Sequence, residues 1–349
     1  MSSDKLTIPR MLAGAVILVS VYFLALGAVR LANLWILIFG SVVVAVVVRA
    51  IADPLVDRLK FKDGLAVLTA IMTILAVLAG AGFLFGQQIS EQIHQLALKL
   101  PGAWALLQAR LEASPAAGQI IAQLQNLGSE AARALAIAPR IAMSVMSGLA
   151  TLVLVLVAGV YLAVQPDRAR EGLLVLAPTR SRPRLRHVMN TCGRALKGWV
   201  KAQLVAMALV GFMVGLGLWL IGVPAPLALG LVAGLAQFVP IVGPIAAAAP
   251  ALLVAATSST QMLILTLALF VGVSQLEANV ITPLVQKNVA SLPVVLGIFA
   301  VVAFGTLLGP LGVLFATPLT LVLYTMLTML YRQDVLHDEE AEAPGETSA

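Results

Sequence analysis

Glu277 and Lys287 are the only charged side chains between residues 202 and 331. A charge within so long an apolar stretch is costly in a bilayer, so it belongs against protein or a water-filled cavity. A carboxylate there can take up a proton, hold a cation or accept hydrogen bonds from a polar solute. Gln275 and Asn279 flank Glu277. At 100° per residue, Glu277 points about 160° away from their stripe, with Ser274 nearer its own side. Polar groups on two faces imply an end of helix surrounded by protein or cavity. Capping of a neighbouring helix N-terminus is the structural alternative for Glu277.

The same stretch is crowded with helix breakers. Pro224, Pro226, Pro240, Gly243, Pro244 and Pro250 fall in one half, and Pro283, Pro293, Gly309, Pro310, Gly312 and Pro318 in the other. Broken apolar helices are tolerated at membrane depth only where protein or a cavity satisfies the freed backbone. The expected layout is a span over 202–221, then a hairpin with arms 226–238 and 245–256 around a break at 239–244. An oppositely directed span over 261–282 follows, then a second hairpin with arms 293–308 and 313–331 around 309–312. This is an inverted repeat, a plan in which solute binds where interrupted helices meet near the bilayer midplane. The candidate transport residues are Gln237, Pro240, Gly243, Pro244, Glu277, Asn279, Thr282, Pro283, Gly309, Pro310, Gly312 and Pro318. Gly211 and Gly215 have the small-xxx-small spacing that lets helices approach closely.

Composition sets the surroundings of this core. Of 349 residues, 60% are hydrophobic and 11% charged, against about 25% charged in soluble domains. The fold class is therefore an all-α polytopic membrane protein, with about six full spans, two hairpins of broken helices and an extracytoplasmic helical insert. The net charge of +6 does not point to nucleic acid, because the basic residues lie beside spans without interleaved aromatics. Cys192 is the single cysteine, so no internal disulfide forms. His94, His187 and His337 have no neighbouring ligand set, and no metal or other cofactor is expected. The chain lacks the Gly-x-x-x-x-Gly-Lys motif of ATP hydrolysis, and no enzyme site stands out.

Residues 1–164 read as a scaffold of four spans, 11–29, 31–48, 65–86 and 141–164, interrupted by the insert at 87–140. Residues 165–201 carry nine basic and two acidic side chains and read as a cytoplasmic linker by the positive-inside rule. Such a cluster can also meet anionic headgroups. The core is 202–333. Residues 334–349 hold six acids and no basic residue and read as a disordered acidic tail. Parity then puts both termini in the cytoplasm and the insert outside.

Four segments carry a resemblance: Arg194-Ala-Leu-Lys-Gly-Trp-Val-Lys-Ala-Gln203, Gly234-Leu-Ala-Gln-Phe-Val-Pro-Ile-Val-Gly-Pro244, Glu277-Ala-Asn-Val-Ile-Thr-Pro283 and Leu308-Gly-Pro-Leu-Gly-Val-Leu-Phe-Ala-Thr-Pro-Leu319. Their order and spacing resemble the autoinducer-2 exporter family of bacterial permease-like proteins. The resemblance is specific from about residue 170 to 331 and extends to the first 165 residues only in layout. It implies a secondary transporter of the bacterial inner membrane that forms homo-oligomers, specifically pentamers, with an elevator-like moving domain. Some members of that family are linked to export of the quorum-sensing signal autoinducer-2, and others to sodium/proton antiport. A channel or membrane scaffold is the alternative of another class. The expected partners are a small-molecule or ion substrate, the lipid bilayer and further copies of the chain.

Overall fold

The computed structural model describes residues 31–84 and 151–346, apart from 152, 240–241, 282–293 and 339, together with the isolated positions 19 and 27. The first span and the insert at 87–140 lie outside the described residues, as do Pro240, Thr282 and Pro283. All regular structure among the described residues is helical. Five helices are long and apolar enough to cross a bilayer: Ala32–Asp57, Asp63–Leu84, Thr179–Ile221, Gln261–Ile281 and Val295–Gln333.

Three helices form the scaffold: α1 (Ala32–Asp57), α2 (Asp63–Leu84) and α3 (Val153–Val164). Ala45, Val48 and Ala52 of α1 share a buried cluster with Ala66, Val67 and Ala70 of α2 and Ala163 of α3. Charged side chains at one end of the three helices close this bundle. Arg49 donates from Nε to the Ala163 carbonyl (2.6 Å) and from its two terminal nitrogens to the Asp63 carboxylate (2.5 and 3.3 Å). One guanidinium therefore ties the end of α1 to the start of α2 and the end of α3.

The basic segment 165–201 is helical. It contains α4 (Pro166–Val175), a single 3-10 turn, and the first half of α5 (Arg182–Ile221). The linker and the fifth span are thus one helix of 40 residues, about 60 Å long. A change from charged to apolar side chains at residue 202 alters what surrounds a helix, not its backbone hydrogen bonds. Helix α5 ends where Gly222 takes φ 84°. The Gly222 N–H bonds the Trp219 carbonyl and the Val223 N–H the Leu218 carbonyl, which is the Schellman closure.

The first hairpin follows as α6 (Pro226–Ala236) and α7 (Val242–Ser258). Helix α6 runs back along α5 with glycines on both sides of the contact. A Cβ on Gly230 would come within 2.6 Å of the Gly215 Cα, and one on Gly234 within 3.1 Å of the Gly211 Cα. The Gly211–Gly215 spacing read from sequence is therefore met by its counterpart on α6. Helix α8 (Thr260–Leu276) begins at Ser259, whose Oγ accepts the Met262 N–H (3.1 Å), a side-chain N-cap. Its last turn, Glu277–Ile281, widens to a π-helix. Val210, Val214 and Leu218 of α5, Leu229 and Ala233 of α6, Ala247, Ala251 and Val254 of α7, and Phe270 and Val273 of α8 share one core.

The second hairpin is α9 (Val294–Leu327), interrupted at Gly309, whose φ of 67° and ψ of −151° are not helical. A Cβ on Gly312 would overlap the carbonyl of Phe304. Eight residues along an unbroken helix would separate these groups by about 12 Å, so the chain doubles back. The second arm packs on the scaffold: Phe315 meets Phe39 edge-on (6.3 Å) and fills the space over Gly40. Ile36, Val43 and Ala50 of α1, Leu196, Trp199 and Val200 of α5, and Phe315 and Leu321 of α9 form a second core.

Residues 334–338 and 340–346 make defined contacts with the helices, where their composition suggested disorder. Arg184 pairs with Asp334 (2.7 Å), Arg332 with Asp338 (2.6 Å), and Arg194 donates to the Gly345 carbonyl (2.9 Å). Ala343 is buried beside Val188 and Met329. Asp334, Asp338 and Glu346, three of the acids that suggested disorder, find partners on α5 and at the end of the second hairpin.

Candidate functional site

The first hairpin turns at Gln237, whose backbone N–H caps α6 by bonding the Ala233 carbonyl (3.1 Å). The break frees the Gln237 carbonyl, and Gln203 of α5 donates to it from Nε2 (2.5 Å). The Gln237 side chain reaches the other way and donates from Nε2 to Oε1 of Glu277 (2.5 Å). Three polar residues, separated by 34 and 40 positions in sequence, are joined in one chain. Gln237 is 1% exposed and Gln203 4%. Trp199 closes over the turn, its ring meeting Phe238 edge-on at 5.7 Å.

Gln237 Oε1 is buried and has no hydrogen-bond partner among the described residues. Leaving such an acceptor unsatisfied costs about 1–3 kcal/mol. It stands on the amide that donates to Glu277. The site therefore presents a carboxylate and an unpartnered amide oxygen, a pair of acceptors suited to a cation, a proton donor or the hydroxyl and amine groups of a small solute. Glu277 opens the π-helical turn, and π-bulges are frequent at functional sites because they re-aim a side chain. Asn279 is turned elsewhere, donating to the Gln275 carbonyl and side-chain oxygen (2.8 and 3.1 Å) on an exposed face. Within this chain Gln275 and Asn279 face outward, where protein or cavity was expected on both faces, and of the three only Glu277 lies on the protein side.

The structure gathers Gln237 and Glu277, and adds Gln203. The last was quoted within a resembling segment but not singled out; an amide next to the start of an uncharged span was the available signal. Gly243 backs onto the Ala236 carbonyl and holds the first turn tight, with Pro244 beginning the return arm. Gly309, Pro310 and Gly312 form the second turn, and Pro318 is buried in its second arm. That turn packs against the scaffold: Phe304, Leu307 and Leu308 line an apolar cavity of about 340 Å³ with Trp35, Ile36 and Phe39. Counted along α5, Gln237 lies level with Gln203, at the basic end of the apolar stretch. The tip of the first hairpin therefore reaches well past the middle of that stretch.

A sequence model described as AI-2E family transporter matches residues 12–332. The chain belongs to the AI-2E transporter family. Within the AI-2E match lie both hairpins and the Gln203–Gln237–Glu277 chain. Among curated relatives, a Bacillus subtilis protein named "Putative transport protein YrrI" is 30% identical over 51% of this chain and 50% of its own length. A Mycobacterium tuberculosis protein named "Putative transport protein MT0215" is 30% identical over 40% of this chain and 39% of its own. A Methanothermobacter thermautotrophicus protein named "Putative transport protein" is 26% identical over 65% and 67%. The chain spans about half the length, or less, of the first two of these relatives. Family membership and the apolar helices together make it a multi-pass membrane protein of a transporter family.

Proposed function

We propose that this chain is a secondary transporter that exports a small polar organic molecule such as autoinducer-2, with the first hairpin moving in an elevator-like manner against the scaffold. The observation that carries this reading is the Gln237–Glu277 hydrogen bond at the turn of a broken helix. It puts the carboxylate of the apolar core on an element whose backbone is already interrupted. A solute bound there would be held by acceptors on two elements, and movement of the hairpin would change which side it faces. Separate packing supports such movement: the hairpin shares a core with α8 and the outer half of α5, while α1, α2 and α3 close around their own.

Sodium/proton antiport is the second reading. Gln237 Oε1, with no partner among the described residues, lies beside the Glu277 carboxylate and favours it, because an amide oxygen without a donor next to a carboxylate matches a cation or a proton. Reconstitution in proteoliposomes separates the two. Autoinducer-2 efflux, abolished in Glu277→Gln, supports export. Sodium uptake driven by an imposed proton gradient, with no solute flux, supports antiport. Normal gradient-dependent flux of either kind in Glu277→Gln would remove Glu277 from the mechanism.

The proposed setting is a bacterial inner membrane, with both termini cytoplasmic and the chain assembled as a homo-oligomer, a pentamer by family resemblance. The positive segment at 165–201 supports the orientation. Large exposed apolar side chains, among them Trp35, Phe212, Trp219 and Phe299, are faces for lipid or for further copies of the chain.

A further inference from the structure

Helix α4 lies across the first half of α5. Arg186 of α5 pairs with Glu171 of α4 (2.8 Å), and Arg182 donates to the carbonyls of Ala177 (3.1 Å) and Val175 (3.2 Å) at the end of α4. The angle between the two helices is thus fixed by three contacts. Between them opens a cavity of about 380 Å³ lined by Arg170 of α4 and by Asn190, Gly193, Arg194 and Lys197 of α5. The α5 residues recur at helical spacing and so share one face. Gly193 forms an open floor: a Cβ there would meet nothing within 4 Å.

The charge in this cavity is only partly offset. Lys197 pairs with Asp53, and Arg170 with Asp167 at 3.5 Å. Arg194 donates to two neutral acceptors, the Gly345 carbonyl and the Thr191 hydroxyl (2.9 Å each). Three acids of the tail are engaged elsewhere: Asp334 by Arg184, Asp338 by Arg332, and Glu346 by Gln333 and the Ala343 N–H; none of the tail's described acids lines the cavity. Three cations and an amide therefore converge with positive charge left over. Guanidinium forks and an ammonium arranged in this way match the several oxygens of a phosphate group. Position supports the same ligand. Lys197 lies about 8 Å along α5 before the apolar stretch begins at Ala202, at the outer edge of a headgroup layer about 5–8 Å thick, and Arg194 lies one turn further out, within side-chain reach of it.

We propose that this cavity binds a phosphate group, carried by an anionic phospholipid of the leaflet at the basic end of α5 or supplied as free phosphate. The lipid arrangement would anchor α4 and α5 to the membrane surface beside the moving core. Native mass spectrometry of the full chain, released from detergent and titrated with phosphatidylglycerol or phosphatidylcholine, tests it. The wild type should bind phosphatidylglycerol more tightly than phosphatidylcholine. Arg170→Gln should weaken phosphatidylglycerol binding about fivefold, the effect of one basic side chain near a bilayer surface. Gly193→Leu, which fills the cavity while keeping every charge, should weaken it at least as much. Millimolar inorganic phosphate that displaces the lipid assigns the site to phosphate itself; retention of the lipid assigns it to the phospholipid. Equal affinity for the two lipids with no effect of phosphate, or unchanged phosphatidylglycerol affinity in both variants, would overturn the proposal. Arg170 is half exposed and makes one weak ion pair, so its variant decides the matter even if Gly193→Leu fails to fold.

Discussion

Gly312 lies directly against the carbonyl of Phe304, and no side chain fits between them. The first hairpin uses the same arrangement, with Gly243 against the carbonyl of Ala236. In both, the return arm starts by pressing a glycine onto the last exposed carbonyls of the outgoing arm. Gly312→Ala and Gly243→Ala should each destabilise by about 1–3 kcal/mol, because backbone rather than a flexible side chain would have to move. Gly272→Ala, at a helical glycine with open space around it, should instead be neutral or gain up to about 1 kcal/mol. Thermal unfolding midpoints in detergent check this. Similar midpoints for all three variants would contradict doubled-back arms.

The Gln203–Gln237–Glu277 chain predicts a graded set of transport defects. Gln237→Leu removes the donor to Glu277 and the buried unpartnered oxygen together, so flux should fall at least tenfold, matching about 1.5–3 kcal/mol for a hydrogen bond to a charged group. Gln203→Leu removes only a donor to the Gln237 carbonyl and should reduce flux less. Flux in proteoliposomes is measured beside the elution volume of the purified protein, which should not change. A larger defect in Gln203→Leu than in Gln237→Leu would mean that the hairpin turn, and not the carboxylate, limits transport.

Arg49 offers a test of the scaffold. Arg49→Leu loses a donor to the Ala163 carbonyl and a forked pair with Asp63, at an expected cost of about 1.5–3 kcal/mol. Asp63→Asn should cost less than about 1 kcal/mol, since Asp63 is 57% exposed and solvent screens the pair. If both variants unfold at the same temperature, the Ala163 carbonyl contributes nothing to the clasp.

Orientation is checked by single-cysteine variants in a Cys192→Ser background. An impermeant thiol reagent applied to intact cells should label a cysteine at Ser114 and leave one at Ser181 unlabelled until the cells are opened. The opposite pattern would invert the topology.

The hairpins were legible because Pro and Gly at 240–244 and 309–312 interrupt otherwise uniform apolar runs, and such breaks need protein or a cavity to satisfy the freed backbone, which a returning arm supplies. Glu277 was legible as the carboxylate of the apolar core. Its partner was not. Gln237 and Gln203 meet only because glycine contacts set the register of α6 on α5, a relation of two distant segments that no local pattern encodes. The continuity of α5 was hidden by the charge boundary at residue 202, which is a change of solvent and not of backbone. The folded tail was hidden for a related reason. Its acids suggested a solvated chain, but Arg184, which takes up Asp334, lies 150 positions earlier in sequence.

Helix α5 also belongs to two bodies at once. Its first half packs with α1 and the second arm of α9, and its second half with the first hairpin and α8. An unbroken helix bends little over such a length, so it acts as a lever. A pivot of about 10° at Gln203 would swing the Arg182 end sideways by about 5 Å, yet move Lys197, paired with Asp53, by only about 1.5 Å. The seat of the C-terminal segment on α5 lies on the long arm of that lever. If the hairpin moves as proposed above, that movement would be passed along α5 to the segment seated on its far end.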